Sequence, residues 1–259
     1  RRAGAPTAKA RRFDAAGLIV APGAIDLHGD GFERNFAPRA GVFFDFETAL
    51  TETDRQLIAN GITTAYLAMT ISWEPGLRSL ENARALVSAL TRIRPRLMTD
   101  MRLQLRWEVF ALDAAADVER WLTLEPKPTL AFNDHFSLLL DAESRMSRDL
   151  PKLATRAGLS QTEYQRLITR TKERAGDVPA AVARLASAAA QAGVVCFAHD
   201  ETDAETRRRN RAHGVAVSEF PLTRAAAAEA AAHGEAIVLG ALDAEPAARE
   251  GLCSALASD

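Results

Sequence analysis

Short runs of apolar and β-branched residues recur along the chain, and most are followed by segments rich in Ala, Leu and Arg with helical spacing. Such apolar runs predict strands, and apolar residues three or four positions apart predict helices. We predict eight strands, in the second half of 18–30 and over 62–70, 102–110, 129–135, 194–200, 215–221, 236–241 and 254–259. Helices are predicted between them at 51–60, 80–91, 113–122, 160–173, 179–192, 203–213 and 223–233.

A glycine follows four of the predicted helices and precedes an apolar strand, at Gly61, Gly193, Gly214 and Gly234. Glycine in this position permits the left-handed backbone that ends many helices. Strands that are nearly continuous in apolar residues are typical of parallel sheets covered on both faces. The alternation therefore predicts the α/β class and a TIM-type (β/α)8 barrel rather than an open doubly wound sheet.

One connection is much longer than the others. Residues 137–176 are strongly charged and mostly helical in pattern. We expect either a lid over one end of the barrel or a solvated helical hairpin that only packs on it.

The composition argues against several classes of protein. The 259 residues are 47% hydrophobic and 25% charged, which excludes a largely disordered or fibrous chain. Lys and Arg total 32 against 34 Asp and Glu, and this balance argues against nucleic acid as the main partner. No apolar stretch approaches the length of a membrane helix, and the first residues lack an apolar signal core, so we expect a cytoplasmic protein without a membrane partner. The two cysteines, Cys196 and Cys253, are expected as buried thiols.

Polar side chains end several of the predicted strands. In a parallel barrel the active site lies at the carboxyl ends of the strands. Three imidazoles and three carboxylates fall at such ends: His28, Asp30, Glu108, His135, His199 and Asp259. The alternation of side chains along a strand places His28 and Asp30 on the same side. The remaining histidines, His213 and His233, precede glycines that end helices and are expected as helix-terminal groups.

This set of residues predicts a metal centre. Neutral imidazoles with carboxylates suit Zn²⁺, Mn²⁺ or Fe²⁺, and a bridging carboxylate can hold a second ion nearby. Any one of these side chains alone could equally be a hydrogen-bonded polar group near a loop. Six at corresponding strand ends favour a metal site.

The start of the barrel carries a more specific pattern. Residues 17–28 read Gly-Leu-Ile-Val-Ala-Pro-Gly-Ala-Ile-Asp-Leu-His and resemble the first strand of the amidohydrolase superfamily. Most members complete His-x-His, whereas this chain has His28-Gly29-Asp30, which is similar to the diphosphatase branch that acts in phosphonate breakdown. Further similarities to that branch lie at 32–34, 38–39, 52–54, 60–64, 105–108, 134–135, 199–202, 219–221 and 257–259.

The resemblance implies a role for each candidate residue and two divalent metal ions, Zn, Mn or Fe. His28, Asp30, His135 and His199 would be ligands, and Glu108 would be the bridging carboxylate. Asp259 would be a metal ligand and the general base that orients the attacking water.

Three arginines near strand ends are candidates for substrate binding. Arg34, Arg39 and Arg106 could hold phosphate oxygens bidentately. For Arg34 and Arg39, surface ion pairing is at least as good an interpretation.

The resemblance also implies that the chain has two parts. Residues 1–16 are expected to be the remnant of a small β-sandwich, and 17–259 the barrel, shortened after its eighth strand. The branch has phosphate-facing loops after strands four and seven, where this chain reads Phe136-Ser-Leu-Leu-Leu140 and Gly240-Ala-Leu-Asp243. These departures bear directly on how a triphosphate would be recognised.

Three functions follow from these features. The first is a metal-dependent hydrolase that cleaves a phosphoanhydride of a small phosphorylated sugar and releases pyrophosphate. The second is an amidohydrolase that cleaves a C–N bond in a cyclic amide or a base, since fold does not fix reaction. The third is a non-catalytic binding relative, which the clustered carboxylates argue against. A homo-oligomer is compatible with the sequence, which carries no readable signature of assembly.

Overall fold

Eight parallel strands form one sheet in chain order. The structure is a computed structural model that describes residues 13–39, 41–140, 143–240 and 244–258. The strands are β1 (Ala24–Gly29), β2 (Ile62–Ile71), β3 (Asp100–Glu108), β4 (Thr129–Asn133), β5 (Cys196–His199), β6 (Val217–Glu219), β7 (Ala236–Leu239) and β8 (Ala255–Leu256). Each lies within or overlaps a predicted strand, so the TIM-type barrel expected from the sequence is confirmed.

Helices connect the strands around the outside. They are α1 (Phe32–Phe36), α2 (Phe46–Ala59), α3 (Leu80–Ile93), α4 (Ala115–Trp121), α5 (His135–Leu140), α6 (Glu143–Ala157), α7 (Gln161–Glu173), α8 (Val178–Ala192), α9 (Ala204–Ala212), α10 (Arg224–Ala232) and α11 (Ala244–Arg249). The seven predicted helices are confirmed, whereas the short helices α1 and α11 were not predicted. The glycine after α8, Gly193, has the left-handed backbone (φ 64°) that its position predicted.

Side-chain alternation along β3 explains how the barrel is filled. Leu103, Leu105 and Trp107 are buried against the helices. The residues between them, Gln104 and Arg106, are also buried but face the barrel interior, where they contact Glu219 and His199. The same strand therefore supplies an apolar outer layer and a polar inner column.

The two ends of the sheet are joined by side-chain hydrogen bonds. Among the described residues, β1 and β8 are the first and last strands of the sheet. Asp26 of β1 accepts hydrogen bonds from the hydroxyl of Ser258 and from its backbone N–H, the latter at 3.2 Å. The barrel is thus nearly closed, and the carboxyl ends of its strands form one rim.

The long connection packs on that rim as a helical segment built from α5, α6 and α7. Trp73, in the loop after β2, meets the ring of Phe136 edge to face at 5.0 Å. Buried Glu74 in the same loop accepts a hydrogen bond from Arg156 of α6 at 2.6 Å and another from the hydroxyl of Tyr164 of α7. The connection is therefore fixed to the barrel by apolar and charged contacts.

Three sequence predictions fall on residues whose structure is not described. Residues 1–12 of the expected β-sandwich remnant, residues 241–243 of the loop after strand seven and Asp259 lie outside the described ranges. Within the described ranges, no helix is both long and apolar enough to cross a bilayer.

Candidate metal centre at the strand ends

A buried group of metal-ligand side chains lies inside the rim. His28 lies one residue before the end of β1, His199 ends β5 and Glu219 ends β6, and their ligand atoms lie within 4.8 Å of one another. The two oxygens of Glu219 are 3.2 Å from His28 Nδ1 and 2.9 Å from His199 Nδ1. Gln104 donates a further hydrogen bond to this carboxylate at 2.6 Å. We call His28, His199 and Glu219 the buried group.

A second group lies nearer the surface and shares His199. His135, the first residue of α5, places its Nε2 3.0 Å from Asp200 Oδ2, which is 3.5 Å from His199 Nε2. The opposite nitrogen of His135, Nδ1, is 2.6 Å from Glu108 Oε1 at the end of β3. The side chains of His135 and Asp200 are 35% and 21% exposed, so solvent reaches this site. We call His135, His199 and Asp200 the rim group.

The two imidazoles of the rim group have pKa values shifted in opposite directions. Burial by itself would lower the pKa of His135, but Glu108 and Asp200 on either side raise it to about 9. Burial dominates at His199 and lowers its pKa, so this ring is neutral. Burial alone would also raise the pKa of Glu219, yet hydrogen bonds from His199 and His28 lower it to about 2. The centre thus combines ionised carboxylates with a neutral imidazole.

Arg106 fixes the tautomer of His199. Its Nη2 lies 2.9 Å from His199 Nε2. Because a guanidinium can only donate, Nε2 must be the accepting nitrogen. The ring proton therefore lies on Nδ1, which faces Glu219.

The backbone is strained beside both strand ends. Asp200 and Phe220 have φ values of 58° and 51°, which residues other than glycine rarely adopt. The left-handed turn at Asp200 directs its N–H to the carbonyl of Glu219 at 3.0 Å. Strain of this kind is concentrated at functional sites.

Several polar atoms at the rim are buried without a hydrogen-bond partner among the described residues. They include both amide atoms of Asn133, Nε of Arg106 and Oγ1 of Thr70. Asn133 lies opposite Glu108 in the β3–β4 register. Buried polar groups normally have partners, so this part of the rim has donors and acceptors available to water, an ion or a substrate.

Two spaces open onto His135. A cavity of about 280 Å³ lies between the rim and α5–α7 and is lined by Glu108, Arg78 and Arg156 among others. An adjoining groove of about 860 Å³ is also lined by His135 and carries the cationic side chains of Arg39, Lys152 and Arg156. Both spaces give access to the rim group.

Four of the predicted ligands are brought together: His28, Glu108, His135 and His199. Asp30 follows the end of β1 and lies 3.8 Å from Arg78, outside both donor groups.

The three arginines predicted to bind substrate lie in different parts of the structure. Arg106 lies within the centre, 2.9 Å from His199, and Arg39 lines the open groove. Arg34 is exposed on α1.

Sequence reasoning missed Asp200 and Glu219 as members of the centre. Glu219 ends the sixth strand, so the strand-end rule that selected the other residues could have found it. Asp200 directly follows His199, but its part in the site depends on a left-handed backbone that no sequence pattern indicates.

Comparison with known proteins supports the resemblance seen in the sequence. The chain is 26% identical over 238 residues to the alpha-D-ribose 1-methylphosphonate 5-triphosphate diphosphatase of Escherichia coli (strain K12). The match covers 88% of this chain and 61% of the relative, so the chain spans about three fifths of that protein's length. The crystal structure of an adenine deaminase from Arthrobacter aurescens matches 85% of this chain and 72% of its own, with 14% identity and a TM-score of 0.47. No family model matches the chain. The similarity to the diphosphatase confirms the resemblance inferred from the motifs.

Proposed function

We propose that the protein is a metal-dependent hydrolase that cleaves a phosphoanhydride of α-D-ribose 1-methylphosphonate 5-triphosphate, giving the 5-phosphate and pyrophosphate in phosphonate breakdown. The observation that carries the proposal is the convergence of imidazoles and carboxylates at the barrel rim, beside Arg106. The substrate itself comes from the similarity to the diphosphatase.

The donor set suits the metal that such a hydrolase needs. Imidazole nitrogen with carboxylate oxygen is the ligand combination of Zn²⁺, Mn²⁺ and Fe²⁺ sites. The described residues offer two such groups, the buried group and the rim group. When bound, a divalent ion would polarise a phosphoryl oxygen and lower the pKa of a water molecule.

Cationic side chains around the site favour an anionic substrate. Arg39, Lys152 and Arg156 line the groove that opens onto His135. Arg106 is buried in the barrel with one guanidinium nitrogen unpartnered among the described residues. Guanidinium groups hold phosphate oxygens bidentately, and a neutral amide would not need them. In this proposal Asp259 keeps the role of general base that the resemblance implies.

The proposal is tested by measuring pyrophosphate release from the ribose triphosphate with protein purified without chelator and supplied with Zn²⁺, Mn²⁺ or Fe²⁺. We expect turnover that depends on the metal. Arg106→Gln should raise KM by an order of magnitude or more, because a charge-assisted contact to phosphate is lost. Arg174→Gln removes an exposed arginine paired with Asp113 and is the control.

Two results would contradict the proposal. Unchanged triphosphate turnover in Arg106→Gln would remove the argument for an anionic substrate. Hydrolysis of a cyclic amide or deamination of a base, without pyrophosphate release, would assign the centre to C–N bond cleavage.

A further inference from the structure

The groove that opens onto His135 has an apolar side that the proposed substrate does not use. Its lining includes an aromatic ring and four leucines, Phe43, Leu77, Leu138, Leu139 and Leu153. A sugar that carries phosphate and phosphonate groups presents hydroxyls and anionic oxygens, so it has little apolar surface to place against these side chains. A largely apolar lining with a few polar groups is typical of sites for small molecules that have an apolar part.

Phe43 is half exposed, yet its ring is held in place. The ring lies 5.3 Å from that of Phe36, which is buried and stacks on Phe46 at 3.8 Å. These two partners belong to α1 and α2, on either side of the loop that carries Phe43. A fixed aromatic ring at the wall of a groove can stack on a flat ring of a ligand at little cost in ordering.

Cationic side chains lie along the same groove. Lys152 and Arg156 are four residues apart on α6, so they lie on one face of that helix. Arg39 lines the groove from the loop after α1. Asp149 is the acidic side chain among the described residues of the lining. The groove therefore combines an excess of positive charge with an apolar wall.

We propose that this groove is a binding site for nucleoside 5′-triphosphates, which the protein accepts as a second class of substrate. The base stacks on Phe43 beside the leucines, and the phosphates contact Lys152 and Arg39. This inference rests on the proposed function, because a nucleoside 5′-triphosphate is a ribose 5-triphosphate that carries a base on C1 instead of a phosphonate group.

The size of the groove suits such a ligand. Pockets for drug-sized molecules have volumes of about 300–1,000 Å³. The groove measures about 860 Å³, whereas the adjoining cavity measures about 280 Å³. Because Phe43 and His135 line the same groove, a ligand with its base at Phe43 can have its phosphates near the rim group.

Arg156 connects the groove with the cavity at the rim. It lines both spaces, and buried Glu74 accepts a hydrogen bond from its Nη2 at 2.6 Å. This contact fixes the guanidinium but uses only part of its five donors. Arg156 can therefore contact a phosphate that extends from the groove towards the rim, with Glu74 as its positioning residue.

The reaction is that of the proposed function. The oxygen of a water molecule bonds to the α-phosphorus, and the bond from that phosphorus to the oxygen that bridges to the β-phosphate breaks. Its electron pair leaves with pyrophosphate, and the proton of the water passes to the general base. The products are a nucleoside 5′-monophosphate and pyrophosphate, and nothing is oxidised or reduced. The base takes no part in these steps, so the same centre can cleave both substrates.

The first test is isothermal titration calorimetry of the protein purified without chelator. The ligands are the α,β-methylene analogues of ATP and of ribose 5-triphosphate, in which a carbon replaces the bridging oxygen and prevents cleavage. Since these two ligands differ in the base, the ratio of their Kd values measures what the base contributes. We expect the ATP analogue to bind at least tenfold more tightly, because of stacking. Equal Kd values would overturn the inference.

A substitution at Phe43 separates stacking from general apolar contact. Phe43→Leu keeps an apolar side chain but removes the ring, and it should lower the ratio of the two affinities at least fivefold. Phe44→Leu is the matched control, because Phe44 lies in the same loop and is 52% exposed but does not line the groove. A ratio that stays the same in Phe43→Leu would overturn the placement of the base.

A substitution at Lys152 tests the placement of the phosphates. Lys152→Gln should weaken both analogues by a similar factor, on the order of 3- to 10-fold, because the lost contact is to the part that they share. Lys172→Gln removes an exposed lysine of α7 and is the control. Unchanged affinities in Lys152→Gln would overturn this placement. Circular dichroism of every variant separates loss of a contact from loss of folding.

Pyrophosphate release from ATP and from the proposed methylphosphonate substrate completes the test. Release from both supports the inference. Release from the methylphosphonate substrate alone overturns it and leaves the proposed function standing. Tighter binding of the ATP analogue without release from either triphosphate supports the nucleotide site but overturns the hydrolase activity.

Discussion

Buried charged residues lie on both the inner, barrel side and the outer, helix side of strands β5 and β6. The two sets differ in whether their charges neutralise one another. On the inner side, His199, Glu219 and Asp200, which follows β5, surround the candidate site, and the backbone at Asp200 is strained. On the outer side, Glu201, which follows β5, and Arg207 of α9 are 1% and 0% exposed and form an ion pair.

The outer charges form a balanced network, which we call the helix-side cluster. Arg207 Nε lies 3.2 Å from Glu235, and Glu201 accepts hydrogen bonds from Ser218 at 2.6 Å and from Asn210 at 2.8 Å. Every charge in it has an opposite charge or a donor nearby. Carboxylates and imidazoles that converge with their lone pairs on one point suit a ligand, whereas charges that neutralise one another serve the fold.

The largest expected effect is on the helix-side cluster. Arg207→Leu leaves Glu201 buried without its cation, and we expect the free energy of unfolding in urea to fall by about 3–5 kcal/mol. The exposed Arg208→Leu should change it by about 1 kcal/mol or less. The Zn²⁺ stoichiometry of folded Arg207→Leu should be unchanged. A loss of metal in folded Arg207→Leu would contradict the separation of the helix-side cluster from the candidate metal centre.

The stability contributed by the inner side should depend on pH through Glu219. The pKa of Glu219 is lowered to about 2 in the folded metal-free protein, against its ordinary value of 4.5. A lowered carboxylate pKa adds stability that is fully present above pH 4.5 and disappears as the pH falls towards 2.

Glu219→Gln should lose this contribution, which is on the order of 3 kcal/mol at about 1.4 kcal/mol per pKa unit. Urea unfolding of the metal-free proteins between pH 2 and 7 measures it, with the exposed Glu52→Gln as the control. Parallel curves for Glu219→Gln and the unmodified protein would contradict the expectation.

A smaller effect is expected from one hydroxyl of the helix-side cluster. Ser218→Ala removes a hydrogen bond to Glu201, which keeps Arg207 and Asn210, so the free energy of unfolding should fall by about 1 kcal/mol. Exposed Ser187→Ala in α8 is the matched control. A fall as large as that of Arg207→Leu would mean that the cluster acts as one unit and not as separate contacts.

The last prediction concerns the reactivity of the two cysteine thiols and involves no change in stability. Burial raises the pKa of Cys196, on the helix side of β5, to about 11, so its thiol should resist iodoacetamide at pH 8. The half-buried Cys253 should be modified first, as peptide mass spectrometry can show. Rapid modification of Cys196 would indicate that the helix side opens readily.

Much of the fold could be predicted because its signals are local. Apolar runs marked the eight strands, and Gly193 marked a helix end, through properties that each segment has by itself. The charged helical sequence predicted the helical segment α5–α7, but not how that segment is attached to the barrel. That attachment depends on Glu74 meeting Arg156 and Tyr164 from distant parts of the chain.

Four of the predicted ligand residues lie together at the rim, but their contacts with one another could not be predicted. Strand ends identified His28, Glu108, His135 and His199, because a parallel barrel brings all such ends to one rim. Alternation placed Asp30 beside His28, but β1 ends at Gly29 and the chain turns into α1, so its carboxylate lies near Arg78 instead.

A parallel barrel with a rim rich in imidazoles and carboxylates follows from hydrophobic periodicity and strand-end position, because both can be recognised one segment at a time. Which donor atoms meet depends on how distant segments pack. The register of neighbouring strands sets Glu219 behind His199, and a left-handed turn at Asp200 brings its carboxylate between two imidazoles. Those are distances between segments far apart in the chain, and no local pattern contains them.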